Sequence, residues 1–504
     1  MFMTRRSFLM GSLLSGGAVL AANATGRLYS LPQLNELYIP ELIDARSRHQ
    51  SIALEVQEGS RHFFPGRESI TLGYNGSYLG PTLRVHQGDD SEVTITNTLG
   101  EDTTVHWHGL LVSGNLDGGP HQTIPAGATW RPVLPIRQRA CTLWYHSHAH
   151  GRTARQVYAG LAGMLIVSDD HEKSLGLPSD YGVDDIPLIL QDKQFEQGTL
   201  VLPQGMMTTM HGRRGDTLLV NGTVNPVAKV PPRLVRLRMV NGANARFFDL
   251  AFSDARIFHW IASEGGLLEK PVALRSLRLI PGERAEILVD FSNGRPATLT
   301  TGPDSSLSMM RMMTPMSGTS ETTVIEFIPQ GTGSSSLQVP QRLHAPEPRI
   351  PSTALRRRRF ELTMGMEMGM GMGMGMGMGM GMGMGNMRRD ETRMSRASFG
   401  INDRAFSMDR VDERVNLGDS EIWEVTGAMM AHPFHVHGVH FQVISRNGSA
   451  PQIRDKGMKD TVLVREPVEL LVHFNQPSLG APFMYHCHIL EHEDNGMMGQ
   501  FTVT

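Results

Sequence analysis

Cysteine is scarce in this chain, which has only two in 504 residues, Cys141 and Cys487. Two cysteines allow at most one disulfide, which an oxidising compartment would permit. If Cys487 binds a metal instead, as its surroundings indicate below, Cys141 is predicted to be a buried small hydrophobe and not a reactive thiol.

An excess of positive charge is also missing, because 47 Lys and Arg stand against 50 Asp and Glu, for a formal net charge of −3. This balance gives no indication of a nucleic-acid partner. Beyond the first two dozen residues no apolar run is long enough to span a membrane, so we expect a soluble mature protein without stable membrane insertion.

The first 24 residues have the pattern of an export signal. Arg5 and Arg6 precede an apolar run from Phe8 to Ala22, and Ala22-Asn23-Ala24 is a small-residue cleavage site. The paired arginines predict the twin-arginine export machinery, which carries folded cargo. A transmembrane anchor is the alternative, but the apolar run is short and contains Gly and Ser.

Long amphipathic helical segments are scarce, and short β-branched runs alternate with Gly, Asn, Asp and Pro. This pattern predicts an all-β fold of three consecutive β-sandwiches at 45–170, 171–335 and 336–504. Strands are expected at Glu92 to Asn97, Thr217 to Val220, Leu234 to Val240, Ala285 to Phe291 and Ile422 to Val425. The second unit contains no His-x-His pair and is predicted to be a spacer that sets the geometry of its neighbours.

Histidine pairs spaced two apart are the strongest signal. Twenty-one histidines in 504 residues predict roughly one such pair by chance. The chain has five, at 106/108, 146/148, 148/150, 435/437 and 486/488. A single pair is ordinarily two imidazoles on one face of a strand, satisfied by backbone or water, but four pairs, one of which encloses a cysteine, are not explained that way.

The stretch His486-Cys487-His488 can serve two metal sites, because successive side chains of a strand point to opposite faces. On the Cys487 side, His492, Met497 and one upstream histidine, for which His432 is the candidate, would complete the His₂Cys set with axial Met of a blue-copper centre. On the other side, His486 and His488 can join the remaining pairs.

Met and Gly alternate from 364 to 387, with twelve methionines in 24 residues. Alternate glycines oppose helix formation, which predicts a mobile loop or arm inserted in the third unit. Its thioethers suit Cu(I). The alternative is a low-complexity expansion without consequence for turnover.

The segments His-Trp-His-Gly at 106–109, Trp-Tyr-His-Ser-His at 144–148, His-Pro-Phe-His-Val-His-Gly at 432–438 and His-Cys-His-Ile-Leu-Glu-His at 486–492 resemble the multicopper oxidases. Within them the chain is most similar to the bacterial periplasmic cuprous oxidases of copper efflux, which are laccase-like. The likeness extends across the mature chain, including 156–167, 216–222 and 401–408.

This resemblance implies that the three sandwiches are cupredoxin-like Greek-key domains. It also implies four coppers per chain, bound by ten histidines, one cysteine and one methionine. The type 1 ligands would be His432, Cys487, His492 and axial Met497, and the type 2 ligands His106 and His435. The two type 3 coppers would be held by His108, His146 and His488, and by His148, His437 and His486.

The resemblance also assigns proton relays and a substrate copper site. Asp117 and Glu493 match family positions that pass protons to the cluster; the alternatives are an ordinary turn Asp and a surface Glu. For a labile Cu(I) site, Met430 and Met364 match, whereas two expected carboxylates are replaced by Ala428 and Gly369, and Glu367 is a possible substitute.

The predicted function is therefore that of an exported, monomeric periplasmic multicopper oxidase in copper tolerance. It would couple one-electron oxidation of Cu(I), or of a small phenolic reductant, to four-electron reduction of O₂ to water. One alternative is a laccase-like phenol oxidase with an incidental Met arm. Two others lack turnover: a copper-sequestering protein, and a cupredoxin scaffold of the kind found in divisome-associated relatives that have lost their copper ligands.

Overall fold

The computed structural model describes residues 34–307, 321–331, 338–346, 355–366, 397–427 and 429–504. The predicted export signal, Glu367, Ala428 and the arm beyond Met366 lie outside these residues. Within them the chain is almost entirely β-structure, arranged as successive pairs of sheets. The predicted all-β fold of cupredoxin-like sandwiches is confirmed.

The first pair of sheets has one sheet in the order β2-β5-β11-β10-β7 and one in the order β4-β3-β6-β8, with β9 also paired to β6. Apolar side chains from both sheets, such as Leu54, Val93, Leu143 and Leu165, form the core between them. The strands are β1 (Asn35–Glu36), β2 (Leu42–Asp44), β3 (Ser51–Phe64), β4 (Arg67–Tyr74), β5 (Thr82–His86), β6 (Asp90–Asn97), β7 (His106–His108), β8 (Thr129–Trp130), β9 (Val133–Pro135), β10 (Cys141–His146) and β11 (Ala162–Ser168).

The second pair of sheets is built around β12-β17-β22-β19 and β16-β24-β23-β18, and β1 joins the latter by pairing with β16. The two sheets enclose the core that contains Leu237, Ile287, Leu250 and Phe327. The strands are β12 (Asp185–Glu196), β13 (Thr199–Val201), β14 (Thr217–Val220), β15 (Thr223–Val224), β16 (Pro226–Val230), β17 (Leu234–Asn241), β18 (Phe248–Phe252), β19 (Phe258–Ser263), β20 (Gly266–Leu274), β21 (Ser276–Leu279), β22 (Arg284–Asp290), β23 (Ala297–Thr301) and β24 (Thr322–Pro329).

The third pair of sheets has the orders β26-β25-β28-β32-β30 and β27-β34-β33-β29-β31. Its core contains Trp423, Phe434, Tyr485 and Phe501. The strands are β25 (Arg356–Met366), β26 (Ala397–Ile401), β27 (Glu413–Val415), β28 (Ser420–Gly427), β29 (His432–Val436), β30 (Phe441–Arg446), β31 (Thr461–Val464), β32 (Val468–His473), β33 (Phe483–Cys487) and β34 (Met498–Val503).

Four short α-helices in the described ranges occupy the connections: α1 (Thr153–Ala159), α2 (Asp170–Ser174), α3 (Met206–His211) and α4 (Leu490–Asp494). Helix α1 packs on α4 through Ala154, Val157 and Leu490, which joins the first unit to the third. Met210 of α3 belongs to the apolar core of the third unit. None of the helices in the described ranges has the length and apolar character needed to cross a bilayer.

Candidate metal centre

The four histidine pairs lie at the ends of paired strands. On β7 and β10, which run antiparallel, His106 stands opposite His146. On β29 and β33, which are also antiparallel, His435 stands opposite His486. Each unit therefore presents two pairs side by side at one sheet edge.

Eight histidines from these pairs meet between the first and third units, and we call them the histidine cluster: His106, His108, His146, His148, His435, His437, His486 and His488. All eight are buried. The rings of His106 and His437 stack with centroids 3.9 Å apart, and those of His108 and His435 stack at 3.7 Å. Each stack joins a histidine of the first unit to one of the third, so neither unit alone could assemble the cluster. His150, in contrast, is exposed and contacts Phe406.

Hydrogen bonds fix one ring nitrogen of most cluster members. Because a carbonyl or an ionised carboxylate only accepts, the ring nitrogen facing it carries the proton, and the other nitrogen keeps its lone pair. Backbone carbonyls accept from Nδ1 of His106, His146, His435 and His486. The carboxylates of Asp117 and Asp460 accept from His437 Nδ1 and His108 Nε2.

The free nitrogens then point at one another. His437 Nε2 lies 3.2 Å from His486 Nε2, and His108 Nδ1 lies 3.3 Å from His146 Nε2. Opposed lone pairs at that distance repel, whereas two nitrogens each about 2.0 Å from one tetrahedral metal ion would stand about 3.3 Å apart. His106 Nε2, His435 Nε2 and both ring nitrogens of His488 are buried without a hydrogen-bond partner. The donor set therefore fits bound metal ions.

The cluster is also held in the protonation state that metal binding requires. Burial, with repulsion from neighbouring imidazoles, places the pKa of His146, His148, His437, His486 and His488 well below the ordinary value. These imidazoles are neutral at pH 7, and neutral imidazole is the metal-binding form.

A second group, which we call the thiolate cluster, consists of His432, Cys487, His492 and Met497. Cys487 Sγ lies 3.5 Å from His432 Nδ1 and 3.6 Å from His492 Nδ1. These are the separations expected of a thiolate and an imidazole on one tetrahedral first-row metal ion. Met497 is fully buried in the same apolar core as Cys487.

Burial raises the pKa of the Cys487 thiol, so a bound metal ion must displace its proton. Cys141 is a free cysteine as well, buried beside Gln138, and burial raises the pKa of its thiol to about 12. It is therefore an inert core thiol, and the two cysteines form no disulfide.

Asp117 and Glu493 both contact the histidine cluster. Asp117 binds two members, since its backbone carbonyl accepts from His106 and its carboxylate from His437. Glu493 is buried on α4, with one carboxylate oxygen 3.3 Å from His148 Nδ1 and the other 3.3 Å from His486 Nδ1. Neither is the ordinary turn Asp or surface Glu of the alternative.

Gly118 fixes the turn after Asp117. Its φ is +79°, and a Cβ there would lie 1.8 Å from the Val105 carbonyl oxygen. Only glycine allows this close approach, which holds Asp117 against the strand that carries His106.

Asp460 and Arg284 are site residues that the sequence analysis missed. The Asp460 carboxylate contacts His108 Nε2 at 3.2 Å, and the Asp460 backbone carbonyl accepts from His435 at 2.9 Å. Arg284, from β22 of the second unit, donates to both carboxylate oxygens at 2.7 and 2.5 Å. Burial alone would raise the pKa of Asp460, but the charge of Arg284 holds this pKa well below its usual range. The predicted spacer unit thus contributes a buried charge that supports two cluster members.

The predicted substrate-copper residues do not all lie in the described residues. Met364 is on β25, opposite Phe399 of β26, with its side chain buried in the core of the third unit. Met430 is partly buried against that same core, two residues before His432. Glu367 and Ala428 lie outside the described residues.

Comparison with known proteins gives two kinds of relative. Family models described as multicopper oxidase match residues 55–172 and 380–504. Relatives named cell division protein FtsP, from Xenorhabdus nematophila and Escherichia coli K12, are each 38% identical and align over 100% of this chain and 99% of their own length.

Solved structures of similar fold include the laccase-like multi-copper oxidase CueO from Ochrobactrum sp. It is 39% identical with a TM-score of 0.81, and the alignment covers 93% of this chain and 100% of that one. The multicopper oxidase of Campylobacter jejuni, described as a metallo-oxidase, is 27% identical with a TM-score of 0.78, covering 94% of this chain and 96% of that one.

Proposed function

The chain belongs to the multicopper oxidase family, and from that premise we propose that it is an exported oxidase that passes electrons from Cu(I) to O₂. The overall reaction consumes four Cu(I), one O₂ and four protons and yields four Cu(II) and two water molecules. In this role it would protect the periplasm from copper.

The single observation that carries this proposal is the double role of the stretch 486–488. Cys487 faces the two histidines of the thiolate cluster, while His486 and His488 belong to the histidine cluster. The two groups of ligands are therefore joined through a few covalent bonds of one strand end. This is the arrangement needed to collect electrons singly and use them four at a time.

In the proposed assignment, the thiolate cluster holds a type 1 copper, and His106 and His435 hold a type 2 copper. His108, His146 and His488 hold one type 3 copper, and His148, His437 and His486 hold the other. Bound copper would supply one-electron redox chemistry and a Lewis-acidic site for O₂. Met497 would supply a weak thioether ligand that tunes the potential of copper held by the thiolate cluster.

The chain's own residues would supply protons and exclude water. Asp117 and Glu493 would deliver protons, since each carboxylate lies within 3.3 Å of a histidine of the cluster. The complete burial of the cluster separates oxygen chemistry from bulk solvent.

Cu(I) is favoured over phenols as the electron donor because soft thioethers occur close to His432 in the sequence and throughout the Met/Gly arm. Met430 lies two residues from His432, and Met364 lies at the head of the Met/Gly arm. We also propose that the protein is exported by the twin-arginine route to the periplasm and that it is a monomer. These proposals derive from the N-terminal sequence and the family.

Copper content and O₂ uptake test the proposal together. Purified protein is expected to hold about four copper ions per chain. It should absorb intensely at about 600 nm, as a Cu(II) site with a thiolate ligand does. Fed Cu(I), it should consume O₂ in an oxygen electrode. Binding of Cu(I) without O₂ consumption would indicate a copper store and would contradict the oxidase function.

A second candidate function is participation in cell division without turnover, which the names of the 38% identical relatives favour. The two candidates predict different results for one variant. If Cys487→Ser removes copper chemistry yet fully supports division in a strain that depends on this chain, the division role stands apart from oxidation. If a strain that lacks the chain divides normally, this candidate is removed.

A further inference from the structure

Helix α3 covers the outer edge of the thiolate cluster. His492 donates from Nε2 to the backbone carbonyl of Met210 at 3.1 Å, while its Nδ1 faces Cys487. The Met210 side chain is buried in the core that also contains Cys487 and Met497. The imidazole edge that points away from the thiolate therefore ends on α3 and not on solvent.

The position of α3 is fixed at its C-terminal end by Gly212. The φ of Gly212 is +77°, and a Cβ there would lie 2.8 Å from Ile489 Cγ2 and 2.3 Å from Ala245 Cβ. The next residues anchor the chain further, since Arg213 pairs with Glu491 at 3.0 Å and Arg214 with Asp304 at 2.8 Å. Helix α3 is thus pressed onto the segment that follows His488.

The outer side of α3 carries soft metal ligands. Met206 and Met207 are 52% and 56% exposed, a large exposure for two adjacent thioethers. Met207 and His211 are four residues apart, and that spacing places them on one side of the helix. Met206, the residue before Met207, is exposed as well. Burial and the nearby Arg214 lower the pKa of His211, so its imidazole is neutral at pH 7.

We propose that Met206, Met207 and His211 form a surface site that captures Cu(I) and passes its electron through Met210 and His492 to the thiolate cluster. Thioether and imidazole together prefer Cu(I) over harder cations. Each captured Cu(I) loses one electron, leaves as Cu(II), and contributes one of the four electrons that reduce O₂ with four protons to two waters. The inference rests on the proposed function and adds a place for its substrate apart from Met364, Met430 and the arm.

The proposed site is confined to α3. Five methionines occur between positions 309 and 316, outside the described residues. Variants confined to α3 therefore test this proposal alone.

The test compares wild type with Met206→Leu/Met207→Leu and, separately, with His211→Gln. Leucine keeps the helix propensity and the apolar bulk of methionine but removes the sulfur. Met408→Leu, in a loop of the third unit, is the matched control. Cu(I) affinity is measured on reduced, copper-loaded protein by competition with a chromophoric Cu(I) chelator, and O₂ uptake is measured with Cu(I) and with a bulky organic one-electron donor.

We expect the α3 variants to bind Cu(I) more weakly and to show a several-fold higher KM for Cu(I), with unchanged blue absorption and unchanged kcat for the organic donor. Met408→Leu should match wild type. If the α3 variants keep wild-type Cu(I) affinity and KM, the proposal is overturned while the oxidase function stands. If wild type consumes no O₂ with Cu(I), the proposed function itself falls, and this inference with it.

Discussion

At the residue scale, Cys487 is the residue on which the proposed function depends most. Its sulfur belongs to the thiolate cluster, and its two sequence neighbours belong to the histidine cluster. We predict that Cys487→Ser abolishes the absorption at about 600 nm, lowers the copper content from about four to about three per chain and stops O₂ uptake. The reason is that a serine hydroxyl is a hard ligand and cannot replace the soft thiolate. Absorption spectra, copper analysis and an oxygen electrode measure these effects.

Cys141→Ser is the matched control, because Cys141 is buried too but faces Gln138 and not a histidine. The Cys141→Ser variant should keep the blue absorption and the O₂ uptake of wild type. Blue absorption and O₂ uptake that survive in Cys487→Ser would refute the assignment of the thiolate cluster.

Arg284 gives a second residue-scale prediction. Arg284→Met leaves the Asp460 carboxylate buried without its cation, which costs on the order of 3–5 kcal/mol of unfolding free energy. It also frees the group that orients His108, so the variant should lose copper from the histidine cluster while keeping the blue band of the thiolate cluster. Urea unfolding and copper analysis with visible spectra measure the two effects.

Arg284→Lys is the informative companion, because it keeps the charge but not the two-pronged contact with Asp460. We expect partial recovery of stability and of copper content. Equal copper content in wild type and Arg284→Met would show that the pair does not position His108.

The clustering of the histidine pairs was predictable from sequence because two-residue spacing on a strand places both imidazoles on one face. The Arg284–Asp460 pair was not, because its partners are 176 residues apart in the chain and come from different units. A single buried charged residue adds no recognisable pattern to the periodicity of the sequence. The one available signal was Asp460 itself, an acidic residue directly before the apolar strand β31.

At the element scale, β25 and β26 set the boundary of the Met/Gly arm. Met364, Gly365 and Met366 pair with Phe399, Ser398 and Ala397, so the first repeat residues belong to a strand. A deletion starting at Met364 would remove sheet pairing along with the arm. The sharper experiment deletes 367–387, which leaves β25 intact.

We predict that deletion of 367–387 lowers the rate of Cu(I) oxidation relative to that of phenol oxidation, because thioethers that suit Cu(I) are removed. Rates of O₂ uptake with each donor measure this. A variant of the same length with serine at each methionine from 368 to 387 separates the loss of thioethers from the loss of chain length. If neither variant changes Cu(I) oxidation, the arm has no role in turnover.

Strands were predicted better than helices. The expected strand at Thr217 to Val220 matches β14, and Leu234 to Val240 lies within β17. Alternating or continuous β-branched residues identify such strands locally. The four helices have five to seven residues, too short for a helical period to appear, so α3 and α4 could be found only from the structure.

At the scale of the whole molecule, the second unit contacts and supports the histidine cluster of its neighbours. Gly282, with φ of +84°, approaches His488 so closely that a Cβ would lie 2.8 Å from its ring, and Lys459 of the third unit pairs with Glu264 and Glu283. The histidine cluster is therefore formed by the first and third units and supported by the second. Such contacts join residues distant in sequence, so the absence of His-x-His pairs could indicate a spacer that sets the geometry of its neighbours but not the residues that do so.

This arrangement makes copper a link between units. Because the ligands of the histidine cluster come from both terminal units, metal bound there stabilises only the assembled molecule. We predict that removing copper by chelation lowers Tm by several degrees and that copper restores it, as measured by calorimetry. Cys487→Ser should keep most of this shift, since its thiolate cluster draws its ligands from the third unit alone.

A variant in which His106 and His437 are both replaced by Gln offers the decisive contrast. It removes one ligand from each terminal unit, at the stacked pair whose ring centroids are 3.9 Å apart. The copper-dependent rise in Tm should then fall well below that of Cys487→Ser. A rise in Tm as large as in wild type would mean that copper does not link the units, and the histidine cluster would have to be a packing feature rather than a metal centre.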